Sequence, residues 1–369
     1  MVWSQLIKRI LILLGVMILM AGIMAGCSKN EEIYYDDRLI INKGEDFNSG
    51  EKKNVELNDE GEIVLTSSAT EGQYISPILK TKAFKDIVVS WNADTPDDTE
   101  VEIMVQTKLD DEWSQWFSYG KWSSNGYKGS VRNQRDSVAV MDIDTLKVLS
   151  LDGAEYLRYS VKLTRKDANT PSPRLRNIFI ALNLVEKVEP VLASDLNYLV
   201  ELDVPERSQM VVPEIGNVIC SPTSLSMVLE YYGYDLETEE VAEKVLDEDA
   251  YIYGNWSYNV AFGGTKCKYA YVERCNSIND IKEKIAQGIP VIASIKTQSE
   301  KELTGAPQAY PSGHLLVVRG FTIKDGEEYV IVNDPAAPEV ETVRREYKVS
   351  EFEKAWNNKI VYILRESLE

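Results

Sequence analysis

Two periodicities divide this chain, and they meet near residue 186. Over residues 54–185, short runs alternate apolar and polar side chains, as at 62–66, 87–91, 100–108, 137–142, 156–164 and 176–184. A period of two turns one face of each run toward a core and the other toward solvent, which is the pattern of a strand. Turn formers separate the runs: Pro96 among acids, Asp110-Asp111, Ser124-Asn125-Gly126, Asp152-Gly153, and Thr170 with Pro171 and Pro173. Many short strands at this spacing predict an all-β sandwich over residues 51–186. Residues 187–203 read as a linker, and beyond them the pattern changes. Leu225, Val228, Leu229 and Tyr232 fall on helical spacing, and Gly233 ends that run. Helices are expected at 224–232, 238–247, 277–287 and 350–356, and strands at 291–295, 315–321, 329–333 and 360–364. The predicted class is α+β: an all-β sandwich first, then an α+β domain over 204–369. A chain of 369 residues has room for both.

Residues 1–26 read as an export signal. Lys8-Arg9 precede a continuous apolar run over 10–20, and small residues lead from there to Cys27. Met24-Ala25-Gly26-Cys27 resembles a bacterial lipobox. That resemblance implies lipid on Cys27 and a chain held on the extracytoplasmic face of a cell membrane. Residues 27–50 are polar and charged, and read as a tether with one short strand at 38–42. The formal charge of −19 argues against nucleic acid, because phosphate-binding surfaces need an excess of Lys and Arg. Apart from Cys27, the cysteines are Cys220, Cys267 and Cys275. An odd number leaves at least one free thiol. If the alternating stretch between Cys267 and Cys275 is one strand, their Cα atoms lie ~26 Å apart, against the ~7 Å that a disulfide spans.

The reactive residue types gather in VPERSQMVVPEIGNVICSPTSLSMVLEYYG, residues 204–233, and in two later blocks. Cys220 precedes Ser221-Pro222-Thr223 at a helix start, where a proline costs nothing and the helix dipole favours a thiolate. Its backbone N–H is free there to bind an oxyanion. His314 is the single histidine of the chain and leads a strand. An imidazole is the usual base for such a cysteine. Asp334 ends the next strand, where a carboxylate fixes the ring's tautomer. Asn333 is the alternative orienter, and alternation along a strand lets only one of the two face His314. The unreactive readings are a surface histidine and a turn aspartate ahead of Pro335. No cofactor and no metal ligand set is expected.

VPERSQM…CSPTSLSMVLEYYG, then GHLLVVRGF, then VIVNDPAA follow the order of parts in a papain-like thiol hydrolase. They resemble the C39-like cysteine peptidase family over roughly residues 200–369. The resemblance implies a papain-like fold there, with Cys220 as nucleophile, His314 as base, Asp334 as orienter and Gln209 as oxyanion donor. Bacteriocin-processing members have their Gln nearer the Cys and Asp-Cys-Gly around it. Here Gln209 lies eleven residues before Cys220 and Ser-Pro follows, so their double-glycine leader specificity is not carried over. The implied activity is hydrolysis of peptide bonds through a Cys220 thioester, on a surface, secreted or cell-wall peptide. One alternative is an acyltransferase (cross-linking) or non-hydrolytic peptide-binding surface protein. The other is a carbohydrate-binding surface protein acting through the sandwich. Trp113, Trp116 and Trp122 favour glycan contact if they line one exposed face, and count against it if buried. The Gly- and aromatic-rich loop at 251–263, with Tyr253, Asn255 and Trp256, is expected to wall the substrate site. Residues 300–312 are expected to form a flap before His314.

Overall fold

The strand Ile78–Asp94, seventeen residues long, organises the N-terminal domain. The computed structural model describes residues 32–187 and 191–368. The first half of the long strand pairs antiparallel with Ala154–Arg165, and its second half with Arg174–Leu184. Residues 156–165 of the strand Ala154–Arg165 pair in turn with residues 99–108. Because the long strand is shared, the expected pair of separate sheets is hydrogen-bonded into one sheet of fourteen strands. The inward residues of its alternating runs form one core, with Trp91, Phe117, Trp122, Leu157 and Tyr159 all fully buried.

The tether expectation for 27–50 is corrected from residue 32 onward. Leu39–Lys43 pairs with Arg174–Leu184, and Phe47 is fully buried. Alternation in this strand drives Ile40 into the N-terminal core and Leu39 and Ile41 against the C-terminal one, so the segment is an integral strand. The end of the expected linker is also docked, since Leu202 N–H donates to Arg319 O at 2.7 Å and Phe321 N–H to Val200 O at 3.0 Å. The export signal and Cys27 lie outside the described residues. Among the described residues no helix is long and apolar enough to cross a membrane.

The C-terminal domain is built on a six-stranded sheet in the order Tyr269–Arg274, Trp356–Arg365, Val291–Ile295, His314–Lys324, Glu327–Asn333, Arg344–Lys348. Neighbouring strands are antiparallel. Five helices accompany it: α1 (Cys220–Tyr231), α2 (Thr238–Val245), α3 (Trp256–Gly263), α4 (Ile278–Ala286) and α5 (Val349–Ala355). Leu225, Val228 and Leu229 of α1 pack with Ile292, Val317 and Tyr362 in one core, and Ile281 and Ile285 of α4 with Val291, Ala293 and Ile295 in another. Helix α3 replaces part of the loop expected at 251–263. It shows no one-sided period because it is buried all round. Tyr258 and Ala261 enter the N-terminal core, while Val260 and Phe262 enter the C-terminal one.

The two domains meet through a buried polar seam. Asn92 acts like a strand neighbour of Ala270: its Nδ2 donates to Ala270 O at 2.7 Å and its Oδ1 accepts from Ala270 N at 3.2 Å. Ser257 Oγ donates to Val89 O at 2.7 Å, Val272 N–H to Ser90 Oγ at 3.1 Å, and Asp86 pairs with Arg274. Buried polar groups matched across a contact fix its register, because each would be costly unpaired.

Candidate active site

Cys220 is the first residue of α1 and half-buried. Pro222 falls inside the first turn, where a helical N–H has no partner to lose. Small residues on the helix let it lie close to the sheet. Ser224 Oγ donates to Leu315 O at 3.1 Å, and Ser221 Oγ to Asn259 Oδ1 at 2.9 Å. This packing brings the sulfur to the ring of His314, with the N–H groups of Leu315 and Ser221 also directed at it. Burial, the largest influence, pushes the thiol up. The hydrogen bond and charge of His314, aided by those two N–H groups, outweigh it and hold Cys220 below its ordinary value.

His314 begins its strand directly after Gly313, whose φ of +97° lies in the left-handed region. That conformation suits glycine and strains any other residue. The ring is almost fully buried, and its Nε2 lies 2.8 Å from Asp334 Oδ1, which leaves Nδ1 for the cysteine. The ring of Tyr310 stacks on the imidazole, centroids 4.0 Å apart and 6° from parallel. Asp334 is fully buried. Its Oδ2 accepts from the hydroxyls of Tyr310 at 2.8 Å and Tyr347 at 2.7 Å, and its Oδ1 also accepts from Ala336 N–H at 3.0 Å. Burial is the largest influence on this carboxyl and raises it, but the imidazolium and the two phenols bring it net below its ordinary value. For His314, burial pulls down most strongly, and the charge and hydrogen bond of Asp334, with Cys220 beyond, carry it net upward. The arrangement favours a thiolate–imidazolium pair braced by a carboxylate.

The structure selects between the two candidate orienters. Asn333 is turned away from the ring, with its Oδ1 accepting from Arg319 at 3.0 Å and its Nδ2 donating to Pro205 O at 2.9 Å. Gln209 is corrected as the oxyanion residue. Its Nε2 donates to Gly216 O at 2.6 Å, and the side chain does not line the cysteine's cleft. A Cβ on Gly216 would stand 2.5 Å from Gln209 O, so this loop closes tightly on itself. The backbone N–H of Cys220, in the unpaired first turn of α1, is free to receive an oxyanion.

The cleft that Cys220 and His314 line encloses about 530 Å³ and opens between the two domains. Ser312, Gly313 and Trp256 line it from one side, and Asp142, Ile143 and Asp144 of the N-terminal domain from the other. Trp256 thus lies where the sequence places it. Tyr253 does not line the cleft, and Asn255 is corrected. It caps α3, with Oδ1 accepting from Tyr258 N–H at 3.2 Å and Nδ2 donating to Asp247 Oδ2 at 2.9 Å, and is almost fully buried. The 300–312 segment is packed down through Leu303, which is fully buried, and contributes Tyr310 behind the imidazole. The three tryptophans do not line one exposed face, which counts against the glycan-contact alternative. Trp122 is fully buried, and Trp113 and Trp116 are half-buried with the Arg158 guanidinium 4.9 and 5.2 Å from their rings. Cys267 and Cys275 flank the strand Tyr269–Arg274 and are free thiols. Burial pushes Cys267 up to about 12 and Cys275 up as well, so neither is reactive.

Sequence reasoning missed Tyr310, Tyr347 and the 142–144 turn. The first two are single aromatic residues in loop and strand, without a pattern of their own. The third lies in the other domain.

Residues 201–360 match the Peptidase_C39 like family, and residues 40–182 match the Peptidase C39 N-terminal domain. Among solved structures, similarity extends to a double glycine motif protease from an AMS/PCAT transporter in complex with its leader peptide. It is 20% identical, covers 49% of this chain and 100% of that one, and has a TM-score of 0.31. Digestive procathepsin L 3 of Tenebrio molitor larval midgut is 11% identical over 49% of this chain and 74% of its own, with a TM-score of 0.25. The C-terminal CBM6 of LamC from Zobellia galactanivorans is 9% identical over 39% and 98%, with a TM-score of 0.22. Scores this low carry no argument about function, and the family matches stand on the sequence. Residues 201–360 therefore belong to the Peptidase_C39 like family, behind a Peptidase C39 N-terminal domain.

Proposed function

We propose that the protein is a cysteine peptidase, anchored by lipid on Cys27 at the extracytoplasmic face of a bacterial membrane, that cleaves a surface, secreted or cell-wall peptide. The Cys220–His314–Asp334 alignment at the wall of an open cleft carries this reading. The Cys220 thiolate attacks the scissile carbonyl carbon, and the C=O electron pair moves onto oxygen, where the Cys220 N–H receives it. As the C–N bond breaks, imidazolium gives its proton to the leaving amine, and a thioester remains. His314 then takes a proton from water, whose oxygen attacks the thioester. The C–S bond breaks, and acid and thiolate separate. Asp334 and its two tyrosines hold the ring in place through both halves.

A peptide-library digest tests the reaction on wild type, Cys220→Ala and His314→Ala. Cleavage that survives Cys220→Ala would sink the assignment. Cys27→Ala tests the anchor separately, with release from the membrane fraction as the expected result and unchanged fractionation as the refuting one.

A further inference from the structure

The cysteine's cleft does not end at the domain boundary. A second hollow of about 680 Å³ on the N-terminal domain shares Asp142, Ile143 and Ile252 with it. The two form a continuous groove that passes over a hairpin tip. Strands Ala139–Asp142 and Thr145–Val148 pair so that Ile143 and Asp144 make a two-residue turn. Ile143 has a φ of +56°, a strained conformation for a β-branched residue. The tip is fixed on the peptidase domain by Trp256 N–H, which donates to Asp144 Oδ2 at 2.7 Å.

Arg132 and Arg135 line the far end of the groove. Both are exposed, and neither side chain makes an ion pair or hydrogen bond among the described residues. Other arginines of this chain are paired, including Arg38, Arg174, Arg207, Arg274, Arg319 and Arg344. With 59 acidic residues against 40 basic ones, a shortage of carboxylates does not explain two free guanidinium groups. Their backbone is held. Arg135 bridges Val140, Met141 N–H donates to Gln134 O at 3.0 Å, and the Gln134 side chain grips Ser118 at both ends. Nearer the cysteine Asp142 pairs with Lys147 and Asp86 with Arg274, while Asp144, raised to about 6 by burial, is held by Trp256 N–H and the Thr145 hydroxyl. The exposed charges of the groove that lack a partner among the described residues are Arg132 and Arg135, at its distal end.

We propose that the N-terminal domain supplies the distal subsites of the Cys220 site: an extended acidic peptide crosses the Ile143 tip and sets its carboxylates on Arg132 and Arg135. This rests on the peptidase reading for what happens at Cys220, but not for the binding itself. Arginine forks bind carboxylates in a geometry that lysine does not match. A rigid platform loses little freedom on binding.

The test uses short fluorescein-labelled peptides, alike except for Glu or Lys at alternate positions. Their binding to Cys220→Ala protein is followed by fluorescence anisotropy at low salt. The overall charge of −19 favours the lysine peptide, so a preference for glutamate has to come from the groove. The expected result is binding of the glutamate peptide about 5- to 30-fold tighter, with the preference falling as salt rises and lost or inverted in Arg132→Glu/Arg135→Glu. Equal binding, a lysine preference, or a glutamate preference untouched by the double variant would each overturn the proposal. In parallel, wild type and the double variant are treated with iodoacetamide. A Cys220 inert in both, beside an intact glutamate preference, removes the hydrolase reading and leaves the groove standing. Equal alkylation in both shows that the arginines act on peptide and not on the thiol.

Discussion

Replacing Asp334 by Asn isolates the charge that the site depends on. The carboxylate accepts from His314 Nε2, Ala336 N–H, Tyr310 and Tyr347 at 2.7–3.0 Å. Asparagine keeps the shape but has one oxygen. With that oxygen kept toward His314, the amide NH₂ meets the two phenols, which rotate to accept. The geometry survives, and the lost quantity is the charge facing the ring. A hydrogen bond to a charged group contributes ~1.5–3 kcal/mol and a neutral one ~0.5–1.5, so about 1–2 kcal/mol of imidazolium stabilisation is removed. This equals a ~5- to 30-fold fall in the ion-paired fraction. Burial then acts on His314 unopposed by Asp334 and favours the neutral ring, and the thiol rises toward or past ~8.5. The assay is the rate of Cys220 alkylation by iodoacetamide across pH. Cys267 and Cys275 are buried and serve as silent controls. In wild type the rate should persist through neutral pH and fall only on the acid side, as the lowered thiol is protonated. Asp334→Asn should be ~5- to 30-fold slower near pH 6 and recover as pH climbs. Superimposable profiles would refute the argument that Asp334 sustains the ion pair.

Stability should follow the same groups. The raised His314 contributes fully below its unfolded value of ~6.5 and loses that contribution as pH climbs toward its folded value, while the lowered Asp334 contributes above ~3.9 and is lost in acid. The melting-temperature gap between wild type and Asp334→Asn should therefore peak between about pH 4 and 6.5 and narrow above it; a gap that widens with rising pH would contradict this. Gly313→Ala meets no atom nearer than 3.9 Å, so its expected loss of ~1–2 kcal/mol in urea unfolding is backbone strain alone, accompanied by slower alkylation; unchanged stability would count against it. Tyr310→Phe keeps the stack and loses one hydrogen bond to the carboxylate, ~1.5–3 kcal/mol of stability, but leaves the charge facing the ring, so it should shift the alkylation profile less than Asp334→Asn does. Trp122→Ala should cost ~3–5 kcal/mol in urea unfolding as a core deletion, and a near-neutral result would contradict its burial.

The sequence made the local parts legible and left the assembly hidden, for reasons visible in particular residues. Helix α1 and the strands leading from His314 and up to Asp334 pack within one domain, so their apolar runs and end residues report them. Helix α3 buries Tyr258 in one core and Val260 in the other, which erases the one-sided stripe. The short strand at 38–42 is legible, but the polar residues around it hide that its two faces dock into two cores, so the segment reads as tether. The Cys220–His314–Asp334 alignment is readable because the chain has a single histidine, not because spacing dictates contact. The 142–144 turn had no such marker. Ile143 at positive φ runs against its own preference, and Asp144 finds its partner, Trp256 N–H, more than a hundred residues away. A local rule broken at a rigid contact indicates that tertiary structure imposes the conformation. Here that contact aligns the groove with Cys220. Both domains thereby line one cleft, which neither domain's sequence pattern states alone.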